Sequence, residues 1–500
     1  MVYLDAEVII AGAGPTGLML AGELRLAGVE TIVVERLAEP MPHSRALGFS
    51  ARTIETFAQR GLLPRFGELQ TIPIGHFGGL PLDFRVLEGG SYGARGVPQS
   101  FTEAVLGDWA NDLGAKVHRG HEVTGLHADD QGAEVEVAAP EHTKRLRAAY
   151  VVGCDGGRSA IRKLAGIDFP GTDPVVEVWL ADVAGCQLRP RFAGERVPGG
   201  WIMVLPLGPD LSRVVVYERA AQPRRGAERP GFGAIADAWE RLTGEDIHGG
   251  KAVWVSSFTD SSRQASEYRR GRVFLAGDAA HVHLPIGGQG ISAGVEDAVN
   301  LGWKLAATIN GWAPAGLVDT YHTERHPVAA RILANTLAQR ILYLSGDEMD
   351  PVRSVMAELL AYEEVQRHLV GMVTGLDIRY DVGPGDHPLL GQRLPGIGLT
   401  GGRGTFELLH AARGVLLNLA DDADMRAAAR PWSDRVDIVT ASAHPAGGQT
   451  PLAGAGAVLV RPDGYCAWIG SGPSGPQELP AALARWFGQP RQQPVAPSIP

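Results

Sequence analysis

Three short segments of this chain combine residue types and spacings that suit the chemistry of a bound dinucleotide. The first is Gly12-Ala13-Gly14-Pro15-Thr16-Gly17, which joins an apolar run, Glu7 to Ala11, to a helical stretch. In such a turn Gly12 permits the tight bend, Gly14 lets a pyrophosphate approach the backbone, and Gly17 lets helix pack on strand. Phosphates there, over the start of the helix formed with Pro15 and Thr16, would meet free N–H groups and a dipole that favours anions. Glu35 ends the next apolar run, where a carboxylate accepts the adenosine ribose hydroxyls. A glycine-rich turn without a ligand is the plain alternative, and the motif alone does not separate FAD from NAD(P).

The second segment, Asp155-Gly156-Gly157-Arg158-Ser159-Ala160-Ile161-Arg162, is weaker, because Asp-Gly after a strand is ordinarily just a turn. The third, Gly277-Asp278-Ala279-Ala280-His281, is sharper. Asp278 is placed to accept a ribityl hydroxyl, and Pro285-Ile286-Gly287-Gly288-Gln289-Gly290 then opens a helix. That helix N-terminus would stabilise an anionic reduced flavin. His281 and His283 have no acidic or cysteine neighbours in a metal-ligand pattern, so they read as structural and no metal is predicted.

These segments need elements to hold them. Glu7–Ala11 and Thr31–Glu35 read as buried parallel strands flanking a helix from Leu18 to Ala27. Ala149–Gly153 and Arg272–Ala276 lead into the second and third segments, so all three loops are expected at the carboxyl edge of one sheet. Between them, Val175–Val183, Gly200–Leu205, Ser212–Glu218 and Ala252–Phe258 predict a second, largely antiparallel sheet. Helical patterns follow over Ile291–Ala307, Leu317–Gly346 and Asp350–Val373, with Pro351 in a first turn. Gly383–Gly404 reads as a linker. Strands Gly414–Leu419, Val436–Thr440, Ala457–Arg461 and Tyr465–Trp468 and a helix Leu479–Phe487 predict a third small α/β domain, and the tail after Pro490 reads as disordered.

Bulk properties narrow the class. Five hundred residues exceed a single core, so two or three domains are expected. A net charge of −10 argues against a nucleic-acid surface. Cys154, Cys186 and Cys466 form no CxxC and suit a reducing cytoplasm. Asp5 and Glu7 precede the apolar N-terminal run, which excludes a signal peptide pattern, and no stretch reaches the roughly 20 apolar residues of a membrane helix. The expectation is a soluble, cytoplasmic protein.

Taken in order, the three motifs resemble those of the flavin-dependent aromatic hydroxylases with the para-hydroxybenzoate hydroxylase fold, over about the first 390 residues. Ser44-Arg45-Ala46, Ala51-Arg52-Thr53 and Pro98-Gln99-Ser100 are similar to that family's FAD-contact segments. Beyond them, a thioredoxin-like appendage without a redox CxxC, carrying Val460-Arg461-Pro462-Asp463-Gly464 and Trp468, resembles that of phenol-hydroxylase relatives and bacterial polyketide hydroxylases. His76-Phe77-Gly78-Gly79-Leu80 and Gly375-Leu376-Asp377-Ile378-Arg379-Tyr380 look most like the angucycline-type members.

The resemblance implies an α/β fold: a Rossmann-like FAD-binding domain (1–72, 100–172, 270–385), an inserted mainly antiparallel substrate sheet (73–99, 173–269), a thioredoxin-like domain (391–490) and a tail (491–500). It implies FAD contacts at Gly12, Gly14, Pro15, Thr16, Gly17, Glu35, Arg36, Arg45, Gln99, Val123, Asp155, Asp278, Pro285, Gly287, Gly288, Gly290 and Ile291, with Arg45 and Pro285 near the reacting ring. Trp201, Met203, Leu205 and Phe258 are the expected apolar substrate wall, and each reads equally well as core. The implied activity is NADPH-dependent monooxygenation of a polycyclic aromatic polyketide by molecular oxygen through a C4a-hydroperoxyflavin. No second GxGxxG follows a strand, which suits transient nicotinamide binding. The appended domain, lacking a dithiol, is expected to be structural or to support a homodimer. The same motifs fit a Baeyer–Villiger oxygenase, an oxidase, or a non-catalytic flavin-binding protein.

Overall fold

The structure is a computed structural model that describes residues 4–87, 91–223, 230–443, 451–471 and 475–491. The chain starts with strand β1 (Ala6–Ala11), helix α1 (Pro15–Leu26) and strand β2 (Thr31–Glu35). Val8 to Ala11 show no exposed alternation, as befits a central parallel strand covered on both faces. After α2 (Ala51–Ala58) and α3 (Gln99–Asp112), β3 (Lys116–Arg119) adds to the sheet. A hairpin of β4 (Glu122–Asp129) and β5 (Gly132–Ala138) leads into the long β6 (Thr143–Gly153), followed by the short α4 (Ala160–Leu164). β6 pairs antiparallel with β5 through Ala148, then parallel with β1 to its end at Gly153.

The inserted segment forms a separate sheet of β7 (Glu177–Ala184), β8 (Arg191–Val197), β9 (Gly200–Gly208), β10 (Leu211–Glu218) and a partner, β11 (Lys251–Thr259), in the order β8-β9-β10-β7-β11, all antiparallel. Helix α5 (Phe232–Thr243) covers one face through Ile235, Ala236, Ala238 and Trp239. Neither β8 nor α5 was expected from sequence. The half-polar alternation of β8 hid the first, and the short apolar stripe of α5 the second.

The chain then returns to the first sheet as β12 (Val273–Leu275), completing the parallel order β12-β6-β1-β2-β3. Four helices follow. In α6 (Gln289–Ile309) every residue from Ser292 to Ala307 is buried, and α7 is Thr320–Leu344. The single helix expected over 350–373 is two, α8 (Asp350–Leu359) and α9 (Glu363–Thr374). Glu363 and Glu364 restart it at a new N-terminus, where acidic side chains are favoured. Pro351 does occupy the first turn of α8.

The segment expected as a linker is packed, with Leu390, Leu394 and Leu399 buried and bridges from Arg379 to Gln392 and from Arg393 to Tyr465. The last domain places β13 (Gly414–Asn418), α10 (Ala423–Ala429), β14 (Val436–Thr440), β15 (Ala457–Val460), β16 (Cys466–Gly470) and α11 (Gly475–Phe487) in the sheet order β14-β13-β15-β16. One parallel and two antiparallel pairings make this the thioredoxin-like arrangement expected. The tail from 492 onward lies outside the described residues. Among the described residues no helix is long and apolar enough to cross a membrane.

Candidate active site

The three loops meet. Each follows a neighbouring parallel strand, β1, β6 or β12, so each emerges at the same sheet edge. A methyl group at Gly12 would stand 2.4 Å from the Cys154 carbonyl oxygen, and one at Gly277 would stand 2.6 Å from Thr16 Oγ1. One at Gly157 would meet Val282 at 2.8 Å. Glycine is required by these approaches, and at Gly12 and Gly277 also by φ of +106° and +61°. Gly17 is just as tight, with its absent side chain 2.0 Å from the Gly12 carbonyl oxygen.

Side chains then lock the loops from behind. Arg162 donates to Ala279 O at 2.7 Å and to Gly157 O at 2.9 Å, tying the second segment to the third. Tyr321 Oη donates to Leu275 O at 2.7 Å at the end of β12. Asp297, on α6 and fully buried, accepts from Gly277 N at 3.0 Å and lies 2.7 Å from His281 Nε2. Arg325 Nε donates to its other oxygen at 2.7 Å. Burial alone would raise the Asp297 carboxyl, but Arg325 and His281 hold it below the usual carboxylate range. His281 is thus the structural residue expected, and its partner is a carboxylate 16 residues later.

The cleft between these loops has the donor set of an extended dinucleotide. Nothing stands within 4 Å of where side chains would project from Gly14, Gly156 or Gly288, so their backbones are open to close approach. Gly14 and Gly288 are the N-caps of α1 and α6, and neither helix start has a side-chain cap. Pro15 and Thr16 form the first turn of α1, while Gly290 and Ile291 form that of α6. Glu35 folds back over the first loop, accepting from Ala13 N and Leu37 N, both at 2.9 Å. Asp155 caps α4 through one oxygen, at 2.6 Å from Ala160 N, while its buried Oδ1 has no hydrogen-bond partner among the described residues. Asp278 is exposed between buried neighbours. Diphosphate, ribose and ribityl groups fit these acceptors and open N–H groups. FAD therefore suits the cleft.

Arg45 and Gln99 also converge, since Gln99 N donates to Ala46 O at 3.1 Å and Ser44 Oγ lies 3.0 Å from Ser100 Oγ. The Gln99 side chain is turned to Glu103, at 2.7 Å. Pro285 and Gly287 are exposed, and Gly287 and Gly288 both have positive φ, a sharp backbone turn just before α6. Arg36 is exposed beside Glu35. Val123 is the exception in kind: its side chain is in the core, so only its backbone is free to meet a ligand.

Facing this cleft is the inner side of the second sheet. Strand alternation puts Trp201, Met203 and Leu205 in register with Tyr217, Val215 and Arg213, and Phe258, Ser256 and Trp254 extend the same face across β7. Leu284 and Ile286, which flank Pro285, pack on it. Arg45 Nε donates to Ser256 Oγ at 3.3 Å, and His43 stacks on Trp254 at 5.4 Å. Met203, Leu205 and Phe258 are half-buried, whereas Trp201 is buried edge-on to Tyr343 at 5.0 Å. Besides Ser256, three polar residues of this face were not foreseen. Asp182 and Arg213 form a buried pair at 2.7 and 2.9 Å whose guanidinium also donates to Arg45 O at 3.0 Å. Tyr217 is buried, which raises its phenol and keeps it protonated. Strand alternation is the signal that marks them. A cavity of about 620 Å³ is lined by residues that include Arg52, Gln289, Glu296, Arg325 and Tyr380.

A sheet edge carrying three converged glycine loops, faced by a second sheet, defines a flavin-dependent aromatic hydroxylase. Comparison with known proteins agrees. Residues 5–336 match the family of the FAD binding domain, and residues 387–490 match the aromatic-ring hydroxylase C-terminal domain. The chain is 45% identical to the 12-dehydrotetracycline 5-monooxygenase/anhydrotetracycline 6-monooxygenase of Streptomyces rimosus, covering 97% of this chain and 99% of that one. It is 39% identical to the dialkyldecalin synthase of Streptomyces rugosporus, covering 97% and 99%. The crystal structure of CabE, an aromatic hydroxylase from angucycline biosynthesis, superposes with a TM-score of 0.94 at 58% identity, covering 97% of this chain and 100% of that one. The chain belongs to the FAD-binding aromatic-ring hydroxylase family and is an FAD-dependent monooxygenase.

Proposed function

We propose that this enzyme hydroxylates a polycyclic aromatic polyketide of the angucyclinone or anthracyclinone kind, with NADPH as electron donor and molecular oxygen as co-substrate. The observation that carries the reading is the pairing of the three-loop cleft with a half-buried apolar face, Met203, Leu205 and Phe258, directly opposite. Similarity to the tetracycline and angucycline enzymes supports the substrate class. FAD, when bound, supplies the redox chemistry, taking a hydride from the nicotinamide and activating oxygen.

The chain's own residues bind, orient and exclude water. The backbones of Gly14, Pro15 and Thr16 at the α1 N-terminus hold the diphosphate. Glu35 holds the ribose, Asp278 a ribityl hydroxyl, and Asp155 Oδ1 a further polar group. The free N–H groups of Gly290 and Ile291 stabilise negative charge on the pyrimidine edge of the ring. Arg45 and Pro285 flank the ring, and Arg36, Gln99 and the Val123 backbone complete the cofactor contacts. Met203, Leu205 and Phe258 wall the substrate, with Trp201 bracing them from behind. Ser256, Tyr217 and Arg45 orient substrate oxygens, the protonated Tyr217 as a hydrogen-bond donor. The second sheet closes over the cleft and excludes water that would divert oxygen to peroxide. In this reading 1–72, 100–172 and 270–385 are the cofactor domain, 73–99 and 173–269 the substrate domain, and the enzyme works in the cytoplasm.

The test is incubation of the FAD-loaded enzyme with NADPH, oxygen and tetracyclic or angular aromatic polyketides. A product one oxygen heavier with a new phenol by NMR is expected. A new ester would turn the reading to Baeyer–Villiger chemistry. Hydrogen peroxide with unaltered or desaturated substrate would end it.

A further inference from the structure

Behind the cofactor cleft lies a continuous buried network of charges that reaches the C-terminal domain. Its far end is the turn Arg461-Pro462-Asp463-Gly464 between β15 and β16. Arg461 is fully buried, with its guanidinium carbon 4.6 Å from the centre of the Trp486 ring, 5.4 Å from Trp303, 5.3 Å from Tyr380 and 5.9 Å from Tyr465. It donates to Glu324 through NH1 at 2.6 Å and NH2 at 2.8 Å, and pairs with Asp463. Asn300 and Lys304, one turn apart on α6, both reach Glu324 Oε2 at 2.7 Å. Arg60 donates to Pro462 O at 2.8 Å, and Arg52 to Asp463 O at 3.1 Å. The turn is thereby plugged into the back of the FAD-binding domain.

From there two routes converge on Arg325. It follows Glu324 directly on α7, so the helix itself transmits the position of the first to the second. Its NH1 also donates to Tyr380 Oη at 3.0 Å, and Tyr380 lies 4.4 Å from Tyr465, ring centre to ring centre, beneath Arg461. Arg325 in turn holds Asp297, and Asp297 holds Gly277 N and His281 on either side of Asp278. Burying this many charges costs several kcal/mol per ion unless each is paired, and apolar side chains would join two domains at least as firmly. What paired charges add is direction: each hydrogen bond specifies where its partner stands.

We propose that the C-terminal domain acts as a positioning element for the flavin, setting the Gly277–Asp278 loop through Arg461, Glu324, Tyr380, Arg325 and Asp297. The proposal rests on the reading that this loop holds FAD. It gives the appended domain, which has no dithiol, a role in the cofactor site through α7 and Asp297.

The experiment uses full-length holoenzyme and follows FAD release on dilution by flavin fluorescence, the visible flavin spectrum, and melting of the apoprotein. Tyr380→Phe keeps the ring stack and removes one acceptor from Arg325. It is expected to speed FAD release about threefold to tenfold, with a shifted flavin spectrum, at only a small drop in apoprotein melting from the one lost hydrogen bond. Arg461→Lys keeps the charge and loses the two-pronged contact, and is expected to do more. Should Arg461→Lys fail to fold, Tyr380→Phe alone decides. Asp278→Asn serves as the direct perturbation of the loop. If it releases FAD faster while Tyr380→Phe matches the unaltered enzyme, the positioning role is overturned and the loop assignment stands. If Asp278→Asn also matches, the loop does not hold FAD and both fall. Lower melting without faster FAD release would mark the network as structural only, and would equally overturn the proposal.

Discussion

The two walls of the active cleft are built on opposite plans. The cofactor wall is mostly backbone: Gly14, Gly156 and Gly288 leave open space, and Gly12, Gly17 and Gly277 allow contacts that a methyl group would forbid. The wall proposed for the substrate is mostly side chain, with Met203, Phe258, Tyr217 and the Asp182–Arg213 pair projecting from alternate strand positions. A backbone wall binds a fixed ligand and tolerates few changes. A side-chain wall is retuned by substitution while its sheet persists. The relatives fit this division, since one shared fold includes a tetracycline monooxygenase and a dialkyldecalin synthase.

Changes within the backbone wall should sharpen the contrast most. Gly17→Ala would force a methyl group to 2.0 Å from a carbonyl oxygen and should destabilise the apoprotein by about 3 kcal/mol or more, read as a lowered denaturation midpoint. At Gly14 a Cβ would meet nothing within 4 Å and φ is an ordinary −79°, so in Gly14→Val apoprotein melting should hold while FAD affinity falls about a hundredfold. Equal effects of the two on folding would contradict the division of roles. Asp278→Ala should weaken FAD about tenfold to a hundredfold, the range of a hydrogen bond to a charge, whereas exposed Asp108→Ala should leave titration curves unchanged.

The substrate wall should answer differently. Phe258→Ala is expected to raise KM about tenfold at unchanged flavin content, checked by steady-state kinetics beside the 450 nm region of the flavin spectrum. Loss of FAD in that variant would show that the two walls are not separable. Stability should also depend on pH. Burial lowers His76, half-buried against Tyr343, from an ordinary 6.5 to about 4. The neutral ring, whose Nδ1 accepts from Gly79 N at 3.3 Å, is the form the fold prefers. Stability from this group is complete above pH 6.5 and declines by about 3 kcal/mol as pH falls to 4, because the unfolded chain takes up the proton first. His76→Asn should flatten that part of the denaturation–pH curve, and an unchanged slope would contradict it.

What was legible in the sequence follows the same line. The glycine loops could be read because backbone requirements leave fixed spacings: β1, β2 and all four strands of the last domain fall within a residue or two of expectation. The tertiary partners could not. Asp297, Arg325 and Arg461 sit on elements of ordinary appearance, and only packing makes them one network. Arg162 stood within a quoted motif, yet its two carbonyl contacts depend on where Ala279 comes to rest. The packed course of 383–404 was hidden because glycine and proline mark turns whether or not Leu394 and Leu399 between them are buried.

The most direct test of the central claim is a titration of the purified full-length chain with FAD, alongside Gly14→Val. One FAD per chain should bind to the unaltered protein and give a yellow enzyme, while the variant melts as the unaltered apoprotein does and stays colourless at the same concentrations. A chain that takes up no FAD, or a variant that binds it equally well, would contradict the assignment of the three loops to one flavin site.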